Sequence, residues 1–367
     1  MKLPRIRRGR RWNILLTIVS LLILAAALPV IYIETLCRSP MPGYAPGLRY
    51  RPLVTAGETR PEAQSWLTYP EWHIVYSADS FGRHLQKAPP SGYSYWQDVR
   101  NFWGSYCQVN GVTANMRGAG EYKVMIYTIG LSFSAEMLIK GVYENTIGRL
   151  FEWISGWPSG DDKFIASEQR RYAEFMQEKP WYRFPFGETF GGLWRTDSGG
   201  YFLRHWERRF AHSLEYGVKF GYAKAIDAAT GATVGRDQTI VTMVARASPG
   251  QLAGIDPRLR VIRSIPAEAG GGVVVQVPRY AAFTSIVGRF ADRGIPLLEI
   301  AGNDDVFLSF IMPRRLNTRE GVILMSQPLP DRPGMVRISA STKVRRLNAL
   351  IRDARSQGGT LEHVYDY

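Results

Sequence analysis

Cysteine and histidine are scarce in this chain of 367 residues, with two of the first and five of the second. Two cysteines exclude a disulfide-stapled scaffold and a four-cysteine zinc site. Cys37 and Cys107 can form one disulfide if both face an oxidising compartment. Neither H-E-x-x-H nor C-x-x-C occurs. His205 and His212 share a helical face, but about 10 Å of helix axis separates them, too much for one ion. His73 and His84 meet only through a tertiary bend. No metal and no cofactor is expected. G-x-S-x-G, the P-loop and G-x-G-x-x-G are missing as well, so a serine-hydrolase elbow and a phosphate-cradling loop are unsupported. Cys107, in "FWGSYCQVN", sits among aromatics, which suits a buried or bridged thiol better than a nucleophile. After residue 12 no long Lys/Arg run and no nucleic-acid module occurs, so no nucleic-acid partner is expected.

What is present begins at the amino terminus. Lys and Arg outnumber Asp and Glu by 46 to 32, and six of the cations lie before residue 12. Taking those six away lowers the net charge from +14 to +8. Residues 1–12 read as a basic cytoplasmic arm, and Asn13 to Ile33 as a transmembrane anchor without a charge. At about 1.5 Å per residue the anchor spans roughly 30 Å of hydrocarbon. Cations before it and Glu34 after it orient the arm inward and the body outward. The run continues through Val30–Ile33, longer than a cleavable signal needs, although Ala25-Ala26-Ala27 resembles a cleavage site. The expectation is a single-pass protein of a bacterial inner membrane, with a cytoplasmic N-terminus and a periplasmic body.

Residues 34–64, rich in proline, read as a stalk. Residues 65–230 read as a mainly helical, aromatic-rich, membrane-proximal domain. Within it "YKVMIYTIGLSFSAEMLIKGVYENTIGRLFEWISGW" carries Glu136, Lys140 and Glu144 on one stripe, and is expected to form long, mostly buried amphipathic helices rather than a second span. In the next strong pattern Phe202, Trp206, Phe210, Leu214, Val218, Tyr222 and Ile226 recur every four residues, opposite Arg204, Arg208, Glu215 and Lys219. Residues 235–367 change character to short apolar runs with turn signals. "TIVTMVARA", "LRVIRSI", "GGVVVQVP", "IPLLEIAG", "VFLSFIMP", "GVILMSQ", "GMVRISAS" and "TLEHVYDY" read as strands, and "RYAAFTSIVGRFADRG" and "TKVRRLNALIRDARSQGG" as helices. The whole is of the α+β class: an anchor, a helical domain, and a C-terminal α+β sandwich with a mostly antiparallel sheet, like two ferredoxin-like halves.

Chemistry-bearing residues are few. "SWLTYPEWHIVYSADSFGRHL" gathers Glu71, His73, Asp79 and His84. Thr68 and Glu71 fit a capping box, which gives Glu71 a structural role and leaves His73 without one. Aromatics crowd residues 66–106 and recur in "KPWYRFPFGETFGGLW". Trp and Tyr beside Arg suit a membrane interface or a cleft for an amphipathic molecule. The binding candidates are Trp181, Tyr182, Arg183, Arg204, Arg208 and Arg209. The preferred function is non-catalytic binding of a lipid, a small amphipathic ligand or a membrane-protein partner. The alternative is an envelope enzyme using Glu71 and His73 as an acid–base pair.

Overall fold

A computed structural model of the chain describes residues 8–37, 50–114, 116, 119–230, 239–329 and 331–367. The basic arm up to residue 7, residues 38–49 of the proline-rich stretch, and the segment 231–238 where the composition changes lie outside the described residues.

Eleven helices and eight strands follow one another among the described residues. The first eight helices come before any strand: α1 (Arg8–Leu36), α2 (Ala63–Leu85), α3 (Tyr95–Thr113), α4 (Ala119–Tyr143), α5 (Arg149–Ser155), α6 (Gly160–Met176), α7 (Phe186–Arg195) and α8 (Phe202–Thr230). A π-turn, Glu144–Gly148, joins α4 to α5. Then come β1 (Ile240–Ala245), α9 (Pro249–Leu252), β2 (Arg260–Ile265), β3 (Gly272–Pro278), α10 (Ala281–Asp292), β4 (Leu297–Ile300), β5 (Asp305–Met312), β6 (Val322–Pro328), β7 (Val336–Lys343), α11 (Leu347–Ser356) and β8 (Thr360–Tyr365).

The strands make two antiparallel sheets of four, ordered β2-β3-β1-β4 and β6-β7-β5-β8. The second order is the first shifted by four strands, so the region is built twice. α10 and α11 occupy equivalent crossovers, while a loop replaces the counterpart of α9 between β5 and β6. In β5, Val306, Leu308, Phe310 and Met312 join the core formed with α10 and α11. Phe283, Ile286 and Phe290 of α10 and Leu350, Ile351 and Ala354 of α11 complete it, all at most 2% exposed. Each such Phe or Ile contributes roughly 2–3 kcal/mol through burial. The described part of the proline-rich stretch lies on the first sheet. Val54 joins Val244, Val274 and Leu298, and Glu299 accepts hydrogen bonds from the Tyr50 hydroxyl (2.7 Å) and the Leu53 amide (2.6 Å).

The other face of β5 carries Phe307 and Ser309, and α2 lies on it. Trp66 stacks on Phe307 with ring centres 4.8 Å apart, Tyr69 meets Phe307 and Tyr365 edge-on, and the Tyr76 and Tyr365 hydroxyls are 2.7 Å apart. α2 is thus shared between the sheets and the helical layer, with α3, α4 and α6 packed around it. The helix begins well before Thr68, so the expected capping box does not form: Thr68 Oγ1 donates to Ser65 O (3.1 Å) and Pro70 lies inside the helix. The aromatic contacts upstream of Pro70 outweigh the roughly 3 kcal/mol that an interior proline costs. α1 meets the body at its end. Cys37 is disulfide-bonded to Cys107 on α3, Asn110 donates to Ile33 O and Cys37 O, and Lys123 pairs with Glu34 at 3.1 Å.

Candidate functional site: an apolar face over a buried ionic seam

α8 has two faces, as its four-residue period requires, but they are turned the opposite way from an ordinary surface helix. Phe202, Phe210, Leu214 and Val218 are 64–73% exposed and Trp206 is 49% exposed. Arg204 and Arg208 are fully buried, and Glu207, His205 and His212 nearly so. From Phe202 to Tyr222 no exposed residue of α8 carries a charge; Lys224 is the first that does. The α4–α5 rod repeats the pattern except at Arg149, which is exposed. By length and composition alone α4–α5, over Tyr122–Ser155, could cross a membrane, yet only 28% of its most apolar window is buried; α1 contributes a shorter apolar run, Ile23–Leu36. The expectation of mostly buried helices is corrected here: Val124, Ile139, Val142, Leu150, Trp153 and Ile154 face outward. Phe190 and Trp194 of α7 extend the same apolar surface.

The charged stripes face each other. α4 and α8 run antiparallel, and their charges alternate in complementary order. Lys140 Nζ lies 2.8 Å from Glu136 and 2.7 Å from Glu215; Lys219 Nζ lies 2.8 Å from Glu136 and 2.9 Å from Glu215. One turn on, Arg208 clasps Glu144 with two bonds of 2.8 and 3.0 Å and also pairs with Glu207. Arg204 clasps Asp162 of α6 (3.1 and 3.0 Å) and donates to Gly148 O at 3.0 Å. A Cβ at Gly148 would run into the Glu144 carboxylate, so a larger residue at this crossing would push that carboxylate out of its place against Arg208. Burial alone would raise the Glu215 pKa, but Lys140 and Lys219 hold it well below the usual carboxylate range. Asp162 is likewise lowered, against its burial, by Arg204. These ions are paired and hydrogen-bonded, the condition on which buried charges are tolerated.

Arg204 and Arg208, expected as ligand contacts, are therefore spent inside the protein. Arg209 is partly buried; it donates to Trp194 O (3.1 Å) and Thr196 O (2.8 Å) and lies over the Trp194 and Trp206 rings. Trp181, Tyr182 and Arg183 lie elsewhere, beside the far end of α8, where Trp181 stacks on Tyr222 with ring centres 5.4 Å apart. An open groove of about 360 Å³ is found there. Tyr182, Phe184, Phe186 and Phe220 wall it, and Arg183, Lys224 and Asp227 are its charged residues. Phe220, Lys224 and Asp227 were invisible as site residues in the sequence; the one signal was that Lys224 ends a long uncharged face.

Glu71 and His73 do not converge. His73 is 2% exposed, wedged between Phe102 and Phe133, with Nε2 3.2 Å from Asp98 O and 3.3 Å from Asp98 Oδ1. Glu71 points toward Tyr122, Arg279 and Asp366 instead. Burial pushes its carboxyl up to about 7, with Arg279 opposing. Its Oε1 makes no hydrogen bond among the described residues. His363 stacks on Trp72 and takes a 3.0 Å hydrogen bond with Thr284; burial lowers it to about 3, so it is neutral. Among the described residues no group of three or more His, Cys, Asp or Glu side chains is placed to hold a metal ion. Comparison of the chain with protein-family models, curated proteins and solved structures finds no match.

Proposed function

We propose that this is a membrane-anchored envelope protein that binds lipid without catalysis. α1 crosses a bacterial inner membrane, its N-terminus is cytoplasmic, and the body lies on the periplasmic side with its outer helices against the bilayer. In this reading each sheet half is of the ferredoxin-like type, the first having the order β-α-β-β-α-β and the second lacking one helix. The observation that carries the proposal is the reversed polarity of α8. An uncharged face from Phe202 to Tyr222 runs for roughly 30 Å, and water is the wrong solvent for it. Hydrocarbon is the right one, and Trp206, its neighbour Trp194 at 6.3 Å, and the exposed Trp153 of α5 are residues that membrane interfaces favour.

The outer helices lie along the membrane surface rather than across it. α3, packed beside α4, exposes Gln97, Arg100 and Gln108; α6 exposes Lys163, Arg171 and Glu174. A crossing by α4 would draw these groups into the hydrocarbon, at several kcal/mol for each charge. No observation favours the enzyme alternative, whose Glu71 and His73 face different neighbours.

Nitroxide labels at Phe210→Cys, Leu214→Cys and Arg171→Cys in the reconstituted full chain test the reading. The α8 labels should be reached by oxygen in preference to a water-soluble nickel complex, and the α6 label the reverse. Nickel access at both α8 positions, or strong label–label broadening from a second copy, would refute it.

A further inference from the structure

We infer that the groove at the far end of α8 is a seat for the phosphate of an anionic phospholipid. The inference rests on the lipid-facing reading above and adds a ligand class and a set of residues to it. The groove lies at the rim of the apolar face, where its uncharged run ends at Tyr222 and Lys224 begins the polar border. A headgroup beside hydrocarbon needs this kind of border, with aromatic walls below and cations above.

The charges decide the sign of the ligand. Arg183 and Lys224 are exposed on the groove, and among the described residues neither has a carboxylate partner; their only ring contacts are with Tyr182 and Phe220. The other cations of α8 are consumed: Arg204, Arg208 and Lys219 in the seam, and Arg209 by two carbonyls. At the opposite rim, Arg209 thus caps backbone rather than awaiting a ligand. Asp227 also lines the groove. It leaves an excess of one positive charge and favours a headgroup with a donor beside its phosphate, such as a glycerol hydroxyl. The exposed edge of Phe220, with the exposed Gly217 one turn before it, offers an acyl chain a path onto the apolar face.

The test uses the full chain in detergent micelles doped with phosphatidylglycerol or phosphatidylcholine, with retained lipid counted by native mass spectrometry. Arg183→Ala/Lys224→Ala should weaken phosphatidylglycerol retention about 30-fold, from two surface cations, and leave phosphatidylcholine retention and the melting temperature unchanged. Asp227→Asn should strengthen phosphatidylglycerol retention. Equal phosphatidylglycerol retention by wild type and the double variant overturns the seat and spares the lipid-facing reading. Loss of both lipids from wild type overturns both. Displacement of phosphatidylglycerol by millimolar inorganic phosphate or glycerol phosphate assigns the groove to a soluble phosphate and overturns the lipid assignment.

Discussion

In the sheet half, Phe283, Phe290 and Phe310 are sealed inside while Arg260 and Ser264 face out; in the outer helices, Arg204 and Arg208 are sealed inside while Phe202, Phe210 and Leu214 face out. Arg204 and Arg208 follow the rule that buried charge is paired, and the sheet core follows the rule that apolar surface avoids water; in our proposal the outer face meets the second rule in hydrocarbon. The halves differ in the solvent each surface is suited to. The sheets are stabilised by area removed from water. Removing the outer helices from water gains little area from their paired face, where geometry does the stabilising: two-bonded Arg–carboxylate pairs and a four-member Glu–Lys box.

Substitutions that treat the two halves alike should expose the difference. The largest effect is expected from Arg208→Ala, which leaves Glu144 buried without its cation and Glu207 with Arg204 alone, and should cost about 3–5 kcal/mol in urea unfolding of the detergent-solubilised protein. Phe310→Ala should cost a similar 3–5 kcal/mol through a cavity. The halves part company when the Glu136, Lys140, Glu215 and Lys219 box is replaced together by methionine. Stability should then hold or rise, because desolvation disappears along with the attraction; a loss above about 3 kcal/mol would mean the ionic seam is more than tolerated.

A middle effect is expected where the halves meet. Glu71 titrates near 7 in the folded chain against about 4.5 when unfolded. Between those values the folded state keeps a proton that the unfolded state has released, so stability falls as pH rises through this window, by up to about 3 kcal/mol. Glu71→Gln should remove that slope and stabilise the protein at pH 8, read as the difference in unfolding midpoints between wild type and variant from pH 4.5 to 8. Identical pH profiles would place the carboxyl in water.

The smallest effects separate the two surfaces. Val261→Lys on the exposed edge strand and Leu214→Lys on α8 should each change unfolding free energy in detergent by no more than about 0.5 kcal/mol. In liposomes only the Leu214 variant should alter how the body lies against lipid, seen as weaker quenching of tryptophan fluorescence by brominated acyl chains. Equal quenching in both variants would count against a hydrocarbon-facing α8.

The sheet half was legible almost strand by strand, because alternation and turn residues are local signals: "VFLSFIMP" became β5 and "RYAAFTSIVGRFADRG" became α10. The helical half was legible in period and not in orientation. A period of four divides a helix into two faces and says nothing about which one meets the core. The deciding information was non-local, in the match of Glu136, Lys140 and Glu144 against Lys219, Glu215 and Arg208 read backward. The same gap explains the site residues. Tyr182 and Arg183 do line the groove, whereas Arg204 and Arg208, equally basic and equally close to aromatics in sequence, sit in the seam. Thr68 and Glu71 mimicked a helix start because a capping pattern inside a helix looks no different in sequence.

The bond between Cys37 and Cys107 makes residues 37–107 a closed covalent ring. α1 leads into that ring at one cysteine, and the rest of the body leaves it at the other. A single peptide cut anywhere from 38 to 106 opens the ring without parting α1 from the body. When the cut falls inside the ring, parting α1 from the residues beyond Cys107 takes two chemically different events, a hydrolysis and a reduction, in either order.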